Sequence, residues 1–181
     1  MATELEAFER THPLWGFSPY LWGRIRVLLA LSQEILADLD CAFSSDLRME
    51  ELARAEANLW LWCLGAYEMV RTMTQEQALA CFSLRLREPL RELKRQLKEV
   101  RMPAAKMELK RSKGSRFGPP VTSCRAPADI DVESMDLLVG DPDRPVSGRS
   151  LLSRFGTVLA SIEPEDVIDR HESGYDARKA V

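Results

Sequence analysis

The chain has 181 residues, 45% hydrophobic and 29% charged, with a net charge of −3. That suits one domain, or one domain with an appendage, and argues against disorder of the whole chain. No apolar run reaches ~18 residues, so no membrane-spanning helix is expected, and the acidic start Met1–Arg10 lacks the basic-then-apolar pattern of a signal peptide.

A cytoplasmic protein without membrane contact is the resulting expectation. The four cysteines agree with it. Cys41, Cys63 and Cys81 fall in predicted helices, where free cysteine serves as a small core residue, and Cys124 falls in a predicted loop. There is no C-x-x-C pair and no zinc-ligand spacing. The modest net charge hides three blocks. Residues 1–84 carry 6 basic and 12 acidic groups, residues 85–125 carry 13 and 4, and residues 126–181 again carry 6 and 12. Either the acidic blocks neutralise the basic one on folding or self-association, or the basic block is a surface for a polyanion. The pI of 5.6 favours the first, since a nucleic-acid domain is flagged by a value above ~9.

Residues 1–17 read as an arm whose Phe8, Leu14, Trp15 and Phe17 are apolar enough to dock on the rest of the chain or on a partner. Ser18-Pro19 supplies an N-cap and a first-turn proline. The first long helix then runs from about 19 to 42, with Leu21, Ile25, Leu28, Ser32, Ile35 and Leu39 as its buried stripe. A second helix is expected over about 47–73. Its latter half, Asn58–Met73, is apolar in nearly every direction of the helical wheel, which predicts burial on most sides. Gly65 costs that helix ~1 kcal/mol relative to alanine and so marks a close approach of another helix.

Thr74-Gln-Glu-Gln77 has the form of a capping box and predicts a third helix over 75–101, antiparallel to the second and broken near Pro89. Its seam is Leu79, Phe82, Leu86, Leu90, Leu93, Leu97 and Val100, spaced as in a bundle. Residues 102–146 hold six of the ten prolines and read as a basic-to-acidic linker or docking loop, with 107–109, 121–123 and 135–139 as candidate short strands. Helices over 147–170 complete the bundle, with Leu151, Leu152, Phe155, Val158, Leu159 and Ile162 inward, before a tail at 171–181. The expected fold is thus all-α: an antiparallel four-helix-bundle-like domain interrupted by a long Pro-rich irregular insertion.

Catalytic parts are sparse. Only two histidines occur, His12 in the arm and His171 near the end, and neither lies in a local nucleophile or metal motif. No catalytic residue, metal or cofactor is therefore assigned. Three sets of binding candidates remain. The basic segment offers Arg85, Arg87, Arg91, Lys94, Arg95, Lys98 and Arg101 on the third helix, and Lys110, Arg111, Lys113 and Arg116 in the loop. Arginine outnumbers lysine 8 to 5 over 85–125, which suits phosphate forks, though Phe117 is the only aromatic in that loop. Asn58, Tyr67, Glu68 and Arg71 form a polar set within an apolar helix, either orienting a ligand or fixing helix register. Ser147 and Arg149 stand at a helix N-terminus, where an anion can bind.

The leading expectation is a non-catalytic helical-bundle interaction protein (adaptor, subunit or regulator). It would act on another protein or on itself, with Trp15, Trp22, Trp60 or Trp62 as anchors. The alternative is binding to a nucleic-acid phosphate backbone through 85–125. An enzyme of unrecognised type is third.

Overall fold

The computed structural model describes residues 4–44, 46–106, 128–141 and 143–171. The described chain is mostly helical, with one small three-stranded antiparallel sheet. The arm is itself helical. α1 (Glu4–Thr11) and α2 (Pro13–Phe17) are joined at His12, and Leu14 and Phe17 enter the core. Phe8, His12 and Trp15 close on Trp22 as an aromatic cluster, with Trp15 and Trp22 edge to face at 5.2 Å and Phe8 stacked on His12 at 4.2 Å.

α3 (Pro19–Ala42) begins where the sequence places it. The Ser18 hydroxyl accepts the Leu21 N–H at 3.4 Å, and the expected stripe is the buried face. α4 (Met49–Met73) returns antiparallel to it. The Trp62 indole N–H donates to the Leu28 carbonyl at 3.1 Å, and Arg54 holds Asp38 through two hydrogen bonds of 2.8 and 2.5 Å. A Cβ added at Gly65 would stand 3.0 Å from Leu28 Cδ2, so the glycine lets α3 close on α4 as its position suggests.

The third helix differs from expectation at its start. Thr74 caps the end of α4, donating its hydroxyl to the Val70 carbonyl at 2.8 Å, and makes no capping box with Gln77. α5 (Glu76–Ala80) is a single short turn. The chain then leaves the helix at Cys81–Ser83, not at Pro89, and α6 (Leu84–Lys106) runs through that proline. The break has a tertiary cause. Phe82 is buried against Phe17 and bridged to Val167, and the Ser83 N–H donates to the Asp166 carbonyl at 2.9 Å. Pro89, the sixth residue of α6, forfeits a helix hydrogen bond, and the buried leucine seam around it carries the helix through.

The insertion expected over 102–146 is in part a sheet, which corrects the all-α expectation. β1 (Ala128–Asp131), β2 (Asp136–Asp141) and β3 (Arg144–Ser147) pair in that order, with Ile130 opposite Leu137 and Val139 opposite Val146. The first turn is built by Asp131, whose carboxylate accepts the Glu133 and Ser134 N–H groups and the Ser134 hydroxyl. Met135 takes a left-handed conformation, φ 53°, so the strand expected over 135–139 starts one residue later. The prolines hide this sheet from a sequence reading, yet Pro145 lies on an edge strand where its missing N–H is tolerated. Leu137 and Val139 alternate onto the buried face, which rests on α6 and α7. The candidate strands at 107–109 and 121–123 lie outside the described residues, as does the tail from 172.

α7 (Gly148–Ala160) then packs Phe155 against Trp62, ring centres 5.1 Å apart, at the heart of the core between α3, α4 and α6. The 3-10 turn Pro164–Asp166 closes the chain over the start of α6. Where α7 begins, space is tightest at Gly148. A Cβ there would lie 2.9 Å from the Leu137 carbonyl oxygen and 3.0 Å from Leu59 Cδ2. Gly148→Ala is therefore expected to destabilise the fold by about 2 kcal/mol, because a backbone oxygen cannot move aside as a side-chain tip can. Urea unfolding followed by circular dichroism measures this. An unchanged midpoint would mean that the sheet and α7 are not packed as described.

Candidate functional site

The basic candidates on α6 are largely engaged within the chain. Arg85 donates to Asp166 at 3.2 Å through Nε and again through a terminal nitrogen, and reaches Glu163 at 3.3 Å. Arg87 donates to the carbonyls of Phe82 and Ala80 at 3.1 and 3.4 Å. Arg91 lies 3.8 Å from Glu88, Arg95 holds Glu92 at 2.9 and 2.8 Å, and Arg101 lies 3.7 Å from Glu68 and over the Tyr67 ring. Lys94 and Lys98 have no ion pair among the described residues. Lys110, Arg111, Lys113 and Arg116 lie outside those residues.

The helix N-terminus at Ser147 and Arg149 already holds an anion, and it is the protein's own. Asp136 is buried, accepts the Ser147 hydroxyl at 2.5 Å and the Arg149 N–H at 3.1 Å, and also takes the Leu137 N–H at 2.7 Å. The Arg149 guanidinium turns away to Asp40, 2.7 Å, and to the Met135 carbonyl, 3.0 Å. The carboxylate that satisfies the helix end thus also fixes the start of β2 to α7.

The polar set on α4 does not close into a buried site. Glu68 and Arg71 pair at 2.7 Å, but their side chains are 40% and 45% exposed, beside Arg101 and Tyr67 at the edge between α4 and α6. Asn58, three turns earlier, is only half-buried.

Cys63 and Cys81 are buried and poorly placed for thiolate chemistry. Burial pushes the Cys63 thiol up to about 12, and burial with nearby Asp169 raises that of Cys81, which opposes thiolate formation. His12 Nδ1 lies within hydrogen-bond reach of Thr11 and the Phe8 carbonyl, and His171 stacks on Phe17 at 5.3 Å. Among the described residues no three His, Cys, Asp or Glu side chains are grouped to hold a metal ion, and no helix is long and apolar enough to cross a membrane. A groove of about 690 Å³ runs between the arm and the C-terminal stretch, lined by Glu6, Glu9, Gly16, Ile168 and Arg170 among others, with Arg170 paired to Glu9 in its wall. Neither histidine lines it.

Exposed apolar residues also lie on the outer side of the α3–α4 hairpin. Val27 is 67% exposed and Leu61 52%, with Leu31 and Leu64 half-exposed and Trp60 at the margin, 37% exposed. The contacts at Leu28 and Asp38 set Leu31 level with Leu61, and Val27 level with Leu64, so the four stand at two successive levels of the hairpin. Asn58–Met73 is covered on most sides, as its wheel suggests, with Trp60, Leu61 and Arg71 as its exposed residues. α4 buries Leu59, Trp62, Cys63, Ala66 and Val70 and leaves Trp60 and Leu61 exposed, with Leu64 half-buried against the core. Of the tryptophan anchors, Trp62 is committed to the core, Trp15 and Trp22 to the aromatic cluster, and Trp60 alone borders this patch. Compared with protein-family models, curated proteins and solved structures, the chain finds no match.

A second buried carboxylate, Asp166, was not suggested by any sequence pattern. Besides Arg85 it accepts the Ser83 hydroxyl at 2.5 Å and the Glu163 N–H at 3.0 Å. The Arg85 guanidinium, aided by Ser83 and that N–H, holds its pKa down to about 2. A depressed carboxylate stabilises the fold fully above its unfolded pKa, ~3.9, and that stability is lost as pH falls toward about 2. Asp166→Asn should cost about 2 kcal/mol at neutral pH, the value of hydrogen bonds to a charged group. It should also flatten the loss of stability between roughly pH 4 and 2. Denaturant titrations across that range check both. A variant as acid-sensitive as the parent would remove Asp166 from this role.

Proposed function

We propose that this chain is a non-catalytic interaction protein, an adaptor, subunit or regulator acting in the cytoplasm through protein–protein contacts. In this reading α3, α4, α6 and α7 are the four helices of a bundle, and the outer α3–α4 face is its contact surface. One observation carries the proposal. Exposed Val27 and Leu61, with half-buried Leu31 and Leu64, give an apolar strip at two successive levels of two packed helices, flanked along the helices by Arg24, Asp38, Arg54, Glu68 and Arg71. An apolar centre with a charged rim is the anatomy of a protein interface. Single exposed apolar residues need no explanation, but an exposed pair on adjacent helices with half-buried apolar neighbours at the same levels does.

Binding of a nucleic-acid backbone through 85–125 has less support. Five of the seven α6 cations named above spend their charge on internal carboxylates or carbonyls, which leaves Lys94 and Lys98 with the residues beyond 106. Anion capture at Ser147 and Arg149 would have to displace Asp136.

A photo-reactive amino acid at position 61, expressed in the native cell, tests the reading. It should give covalent adducts with protein, whereas the same group at exposed Arg154 on α7 should give none. Leu61→Asp should abolish adducts formed from a probe at Val27 while changing folding stability by no more than about 0.5 kcal/mol, as for an exposed site. Absence of adducts from position 61, together with tight, salt-sensitive binding of a mixed nucleic-acid pool, would overturn the proposal in favour of the basic segment.

A further inference from the structure

The charges around the α3–α4 patch are sorted by end. Where α3 begins and α4 finishes stand Arg24, Arg71 and Arg101 against Glu68. Where α3 finishes and α4 begins stand Glu34, Asp38, Glu50 and Glu51 against Arg48 and Arg54. The apolar strip lies between a net positive end and a net negative end. Along α3 the order is Arg24, then Val27 and Leu31, then Glu34, all at spacings that share one side of the helix. Arg24 is braced by the Tyr20 ring, 3.9 Å from its centre, and both Arg24 and Glu34 are exposed.

We propose that the occupant of this face is a second copy of the same chain, related by a two-fold axis through the centre of the strip. This rests on the reading of the α3–α4 face as a contact surface and names its partner. A two-fold axis that lies in the contact plane and crosses the helices turns one copy end for end, so that the positive end of each lies over the negative end of the other. Arg24 of one copy then faces Glu34 of its mate, and the match occurs twice. A parallel pairing would set like charges together, and a head-to-tail contact would need a second, different patch on the molecule. The apolar strips meet at the axis, where Val27, Leu31, Leu61 and Leu64 lose water from both sides. The two hairpins stack as four antiparallel helices. The charge pattern supplies register and the apolar strip supplies affinity.

Sedimentation equilibrium of the purified full chain tests this. The parent protein should form dimers at concentrations up to about 100 µM, and Leu61→Asp should remain monomeric with an unchanged helical circular-dichroism signal. Charge reversal gives the discriminating result. In Arg24→Glu the facing pairs become Glu with Glu, and in Glu34→Arg they become Arg with Arg. Each variant alone should therefore dimerise at least about tenfold more weakly than the parent. Mixed in equal amounts, the two should recover parent-like association, since both contacts of the mixed dimer are again Arg with Glu. If each variant dimerises as well as the parent, or the mixture recovers nothing, the two-fold arrangement is overturned. If the parent stays monomeric while position 61 cross-links to a different protein, self-pairing fails and the contact surface stands. If it stays monomeric and position 61 cross-links to nothing, both fail.

Discussion

Leu28 sets the geometry on which the α3–α4 hairpin depends. Its carbonyl receives the Trp62 indole N–H, and its side chain occupies the space left by the missing Cβ of Gly65. A hydrogen bond fixes register and a close approach fixes spacing, and both act through one residue. Trp62 continues inward to Phe155, so the same contact passes from α3 through α4 to α7. On the solvent side it determines which apolar residues fall level with one another. A shift of one helical turn, about 5.4 Å, would separate Leu31 from Leu61 and scatter the patch. The interior and the proposed interface are two consequences of one alignment.

The non-helical parts are tied down differently, by two buried carboxylates. Asp136 joins the sheet to the start of α7, and Asp166 joins the C-terminal stretch to the start of α6. Each accepts hydrogen bonds from both a hydroxyl and backbone or guanidinium N–H groups, as a polar group in the interior requires. Short strands and a 3-10 turn bury little apolar surface of their own. Polar latches of this kind are therefore what hold them at defined places on the helices, with Leu137, Val139 and Ile162 adding the apolar contacts.

The helical seams were legible because their period is a local property. Leu79 to Val100 and Leu21 to Leu39 are read directly from spacing, and every one of those residues is buried. What spacing cannot express is partnership. Cys81–Ser83 leaves the helix because Val167 and Asp166, some eighty residues later, give its backbone other partners. The sheet lies in a stretch whose prolines read as irregular, since a proline on an edge strand and one in a loop look alike in sequence. Asp136 and Asp166 are two of 28 acidic residues, and nothing local separates them from the solvated ones. The apolar face was hidden for the opposite reason. A helix buried all round and a helix that keeps one apolar side for a partner have the same wheel.

That last ambiguity bears on the charge blocks. Part of the acidic excess at either end of the chain is spent internally, because Arg85 meets Asp166 and Glu163, and Arg101 meets Glu68. If folding consumed all of it, no pattern would remain on the surface. Yet the hairpin α3–α4 belongs wholly to the first acidic block, and most of its carboxylates gather at one end while its few arginines divide between the two. Internal neutralisation does not require such sorting, since the α6 cations pair mainly with the C-terminal stretch and with acids on their own helix. The proposed two-fold pairing, which lays each end over the other, does require it. The proposed pairing therefore rests on the distribution of charge along α3 and α4 and not on the charge balance of the whole chain.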